Sequence, residues 1–150
     1  MNALPRPLML AALAAVAACP PLALAADNPT VACSVAVDYL HNNVVAHAYR
    51  QQFVVDSTAA FIDDFSSAIR QREFRAAVAR VGSDVMVSID YYNDVGVFHA
   101  VGFNTALTLR GGGAAQSTSG SASTYLTNNA QPASVGGTHT TNYTLSCQRV

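Results

Sequence analysis

From residue 31 onward, apolar side chains recur at every second position, and this alternation constrains the fold more than any other feature of the chain. Val31, Cys33, Val35, Val37 and Tyr39 alternate with small or polar neighbours, and so do Val45, His47, Tyr49 and Gln51. Phe74, Ala76 and Val78 repeat the pattern, as do Val85, Val87, Ile89 and Tyr91, and then the run from Val95 to Leu109. A period of two places one face of each segment in a core and the other toward water, which is the signature of half-buried strands. Turn chemistry falls between the segments. His41-Asn42-Asn43 and Gly82-Ser83-Asp84 separate two pairs of runs and predict hairpins. Asn93-Asp94 predicts a strand end, Gly96 and Gly102 predict a bend in the long run that follows, and Gly111-Gly112-Gly113 predicts another turn.

Two segments read differently. Ser57–Ile69 places Phe61, Ile62, Phe65, Ala68 and Ile69 at spacings of three and four, which predicts one short helix capped by Ser57. Glu73–Val81 fits a strand, with a helix ended by Gly82 as the alternative. Gln116–Thr127 is rich in serine and threonine, a composition suited to exposed strands as well as loops, and Tyr143, Leu145 and Cys147 mark a last strand after a loop over Asn128–Gly137. The expectation is a mainly β, single-domain antiparallel β-sandwich or small β-barrel of about eight strands.

The N-terminus has a separate purpose. Arg6, the apolar run Leu8–Ala18 and the small residues around Ala23-Leu24-Ala25 have the order of a secretory signal peptide, residues 1–25, cleaved before Ala26. Val16-Ala17-Ala18-Cys19 offers a competing cut that would leave a lipoprotein anchored at Cys19, although Pro20 and Pro21 follow it directly. The mature chain, residues 26–150, has no apolar stretch long enough for a transmembrane helix. It is expected to be periplasmic or secreted. About 125 residues suffice for one domain. Cys33 and Cys147 then remain near its two ends, and in an oxidising compartment they are expected to pair, placing the first and last strands side by side.

Charge excludes one class of partner. The mature chain has no lysine and carries seven arginines against nine acids, which argues against nucleic acid. A protein or glycan partner in the envelope or outside the cell is expected, with no cofactor and no metal. Asp63-Asp64, Asp90 and Asp94 lack the spacing of a calcium loop. His41, His47, His99 and His139 form no local ligand pair. No G-x-S-x-G elbow accompanies the many serines. Tyrosine, which combines apolar area with a hydroxyl, is the most suggestive surface residue. The binding residues expected are Tyr91, Tyr92, His99, Tyr125 and His139, with Tyr91 and Tyr92 on opposite faces of their strand. Arg70, Arg72 and Arg75 form a solvated face or the rim of an acidic partner's site.

Ser119-Gly120-Ser121-Ala122-Ser123-Thr124-Tyr125, followed by Cys147, resembles the Ser-Gly-led motif of the periplasmic and membrane-bound C-type lysozyme inhibitors. The match spans fewer than ten residues, and the second, tryptophan-containing motif of that family has no counterpart because the chain has no tryptophan. The functional expectation is therefore a non-catalytic binding module. An inhibitor of a cell-wall hydrolase or protease presenting a loop such as Ser117–Tyr125, and a small hydrolase built on Asp90, His99 and His139, are the alternatives.

Overall fold

The computed structural model describes residues 28–96, 99–111, 113–127 and 136–150. The expected signal segment and Cys19 lie outside these residues, as do Val97, Gly112 and most of the loop expected over Asn128–Gly137.

Eight strands follow one another: β1 (Thr30–His41), β2 (Val44–Asp56), β3 (Phe61–Asp64), β4 (Arg72–Val81), β5 (Asp84–Gly96), β6 (His99–Leu109), β7 (Gln116–Leu126) and β8 (Gly137–Arg149). They form two antiparallel four-stranded sheets, ordered β2-β1-β8-β7 and β3-β4-β5-β6. Each strand neighbours the next in sequence around the whole circuit, and β8 returns to pair with β1. The ladder breaks at two seams, between β2 and β3 and between β6 and β7, so a closed barrel is not formed.

Local chemistry sets the hairpins. Asn42 and Asn43 both take positive φ, 50° and 65°, as a two-residue type I′ turn requires, and the Asn42 side chain and backbone tie the turn to Thr138. At the opposite end of the molecule Gly82 takes φ 64° at the first position of the β4–β5 turn.

The inward faces of both sheets meet in one core containing Val31, Val35, Val37, Phe74, Val87, Ile89, Tyr91, Leu109 and Leu145. Burying each large apolar side chain contributes about 2 kcal/mol. Aromatic rings run across it from one seam toward the other. Phe53 stacks on Phe61, Tyr49 on Phe65, Tyr91 on Phe103, and Phe103 on Tyr143 at 4.3 Å. Gly120 makes that last contact possible, because a side chain there would collide with the Tyr143 ring. Cys33 and Cys147 occupy one rung of the β1–β8 ladder and are joined by a disulfide.

Two expectations are corrected. Ser57–Ile69 is not helical: Phe61–Asp64 is strand β3, paired with β4, and Ile69 is exposed. Phe61 and Phe65 are four residues apart, a spacing compatible with both a period of two and a period of 3.6. What decides for the strand is Asp63, which points inward and accepts hydrogen bonds from the Tyr49 hydroxyl at 2.8 Å and Gln51 Nε2 at 3.1 Å. Ser57 does not cap a helix; Asp56 Oδ1 accepts the Thr58 amide and organises the turn. The second correction concerns Asn93-Asp94, which does not end β5. The strand continues through an irregularity to Gly96, because both turn-forming side chains find partners in place: Asn93 Oδ1 accepts from Arg72 Nε, and Asp94 Oδ1 accepts from the Gly96 amide. Glu73–Val81 lies within strand β4.

Candidate ligand-binding face and seam

The outer face of β7 and β8 is an uncharged ladder of hydroxyl and amide groups. Odd positions of β7 and even positions of β8 point outward, giving the cross-strand pairs Ser117 with Ser146, Ser119 with Thr144, Ser121 with Asn142 and Ser123 with Thr140. Two of these pairs are hydrogen-bonded, Ser117 donating to Ser146 at 3.0 Å and the Ser123 and Thr140 hydroxyls meeting at 2.9 Å. Such pairs stabilise a solvated sheet face without an apolar surface. Beyond Ser123 in the same row stands Tyr125, opposite Thr138 and 70% exposed. Sheet geometry repeats the rungs about 6.7 Å apart along each strand and about 4.8 Å between strands. The result is a grid of neutral donors and acceptors ending in an aromatic ring.

Beside this grid the β6–β7 seam opens into a cleft of about 300 Å³, at the small end of ligand-sized pockets. Its walls carry small residues, Ala100 and Gly102 from β6 and Ala122 and Ser123 from β7, and His139 and Thr141 of β8 also line it. His139 is 2% exposed; its Nδ1 lies 2.7 Å from the Tyr39 hydroxyl, and its ring stacks on His41 at 4.7 Å. The Tyr39 contact holds the His139 ring in a fixed orientation beneath the cleft.

The five residues expected to bind therefore separate. His139 lines the cleft, Tyr125 follows the cleft residue Thr124, and His99, half-buried, opens β6 immediately before Ala100. Tyr91 is 1% exposed and packs in the core against Phe65 and Phe103. Tyr92 points the opposite way, 40% exposed on the outer face of the other sheet, in a shallow depression with Gln71, Glu73, Arg75 and Asp90. Asp90 thus lies outside the sheet while His139 lies inside the core, so the hydrolase set of Asp90, His99 and His139 does not converge. Ser117–Tyr125 is strand and not a protruding loop. Among the described residues no three His, Cys, Asp or Glu side chains group as metal ligands.

A polar cluster that the sequence reading did not assemble occupies the same end of the core, below the β1–β2 and β3–β4 turns. Tyr39 pairs with His47 across β1 and β2, and Arg72 pairs with Asn93 across β4 and β5. Arg72 Nε donates to Asn93 Oδ1 at 3.0 Å, and Asn93 is fully buried. Burial pushes the Tyr91 hydroxyl up to about 12, with the Arg72 charge opposing. Burial also raises Tyr39, against the charges of Arg70 and Arg72, and it lowers the His47 ring, where the Arg72 charge acts in the same direction. One guanidinium is therefore felt by three side chains from three other strands. The sequence signal for this cluster was Asn93, a polar residue two positions after Tyr91 in the core phase of β5. The arginines do not form one face: Arg70 pairs with Asp94 at 3.7 Å and Arg75 with Glu73, while Arg72 turns to Asn93. No protein-family model matches the chain, and no curated protein matches it.

Proposed function

We propose that this chain is an exported, non-catalytic binding module, a two-sheet sandwich that holds a neutral glycan along the β7–β8 face with one sugar unit entering the β6–β7 cleft. The observation that carries the reading is the uncharged hydroxyl ladder running beside the cleft toward exposed Tyr125. Neutral sugars present alternating hydroxyls, which exchange hydrogen bonds with serine, threonine and asparagine without charge to neutralise. Their ring faces are apolar and lie against an aromatic side chain, for which tyrosine has the right combination of area and polarity. A disulfide between the first and last strands suits an oxidising compartment, where envelope and extracellular glycans are found.

The inhibitor alternative draws on the same segment, but it needs Ser117–Tyr125 to enter a target's cleft, and an edge strand lying flat in a sheet is poorly shaped for that. The test is equilibrium binding of the purified mature protein to neutral polysaccharides of defined composition. Tyr125→Ala is expected to weaken binding about tenfold, equivalent to roughly 1.4 kcal/mol, with unchanged thermal stability. Equal binding by both proteins contradicts the assignment, as does the absence of binding to any neutral glycan.

A further inference from the structure

We propose that Arg72, Tyr91 and Asn93 form a second site, at the loop end of the core, for a small carboxylate-bearing ligand. Arg72 is only partly buried, and its guanidinium makes no ion pair among the described residues, whereas Arg50, Arg70 and Arg75 each face a carboxylate. One of its donors, Nε, is committed to Asn93 Oδ1. A guanidinium has five donors in a planar fork, and the arrangement that matches them best is a carboxylate.

The neighbouring groups complete the match. Asn93 is 0% exposed and Tyr91 1% exposed, and the Asn93 Nδ2 and Tyr91 hydroxyl have no hydrogen-bond partner, nor does buried His47 Nδ1. Buried polar groups are nearly always paired, so three unpartnered atoms around one unpaired cation are an exception that a bound group resolves. The balance is toward donors: the amide nitrogen and the phenol donate, and neutral His47 is free to adopt either tautomer. Asp63, Glu73 and Asp94 are already engaged, Asp63 by Tyr49 and Gln51, Glu73 by Arg75, and Asp94 by Arg70 and the Gly96 amide. One net positive charge with neutral donors calls for a monoanion with two oxygens, and a phosphate dianion would leave charge uncompensated in a desolvated place. Phe65 contributes an apolar wall, stacked on His47 at 5.7 Å and Tyr91 at 6.2 Å.

The experiment is a titration of the isotopically labelled mature protein at neutral pH with acetate and formate, following the Asn93 side-chain amide and Arg72 Nε–H resonances, with chloride and phosphate at matched ionic strength as comparisons. Saturable shifts with the carboxylates are expected, and Tyr91→Phe, which keeps the ring, is expected to weaken them about tenfold by removing one hydrogen bond to a charged group. Arg72→Gln should abolish them; if that variant does not fold, Arg72→Lys, which keeps the charge and loses the fork, should weaken them. The proposal is overturned by non-saturating shifts, by equal shifts with chloride, by a stronger response to phosphate, or by an unchanged response in Tyr91→Phe.

Discussion

Cys33 and Cys147 face each other across one rung of the β1–β8 ladder, with Cα atoms 4.1 Å apart although 114 residues separate them in sequence. The bond links the first strand of the described fold to the last. A loop of that length restricts the unfolded chain by about 4 to 5 kcal/mol in the chain-entropy treatment. Replacing both cysteines with serine is expected to lower the unfolding free energy by about that amount, measured by urea denaturation. An unchanged midpoint would show that the link contributes nothing to the fold.

Two glycines are expected to be intolerant of alanine, and two others indifferent. A Cβ on Gly102 would run into the Tyr91 backbone carbonyl across the β5–β6 ladder, and one on Gly120 would meet the Tyr143 ring. Overpacking of this kind costs about 1 to 3 kcal/mol, so Gly102→Ala and Gly120→Ala should each lower the melting temperature by several degrees. Gly111 and Gly113 have open space around them, and their alanine variants should melt as the parent does. A parent-like Gly102→Ala would contradict the close approach described for the β5–β6 ladder.

Stability should fall on the alkaline side. Burial raises the Tyr91 hydroxyl to about 12, and Tyr49 is raised by burial and by its hydrogen bond to Asp63. Unfolded tyrosines ionise near pH 10, so between about 10 and 12 the unfolded chain binds fewer protons than the folded one, and stability drops by roughly 1.4 kcal/mol per pH unit for Tyr91. Below pH 10 these tyrosines contribute no pH dependence. Tyr91→Phe should flatten the decline in a series of denaturant midpoints across that range; an identical slope would place the titration elsewhere. His47 has the opposite dependence: its ring is lowered by burial, so its contribution is present above the ordinary histidine value of about 6.5 and is lost as pH falls.

Most of the strands were legible because alternation is a local property of sequence, and the Asn42-Asn43 turn because few residues other than glycine and asparagine tolerate two successive positive φ angles. Phe61 and Phe65 misled because their spacing satisfies two periods at once. The seams were not legible, since nothing within β2, β3, β6 or β7 marks where a ladder stops. Nor was the polar end of the core, whose members Tyr39, His47, Arg72 and Asn93 come from four strands and meet only through register and sheet packing. Of the expected binding residues, Tyr125 and His139 lie where a surface and a cleft adjoin, whereas Tyr91 is buried in the core against Phe65 and Phe103.

The most direct test of the central claim maps a neutral oligosaccharide onto the protein by amide chemical shifts. The account predicts saturable changes concentrated on Ser119, Ser121, Ser123, Thr140 and Asn142, extending to Tyr125 and to His139 in the cleft. Changes confined to the outer face of the β3–β6 sheet around Tyr92, or none at all, would contradict it.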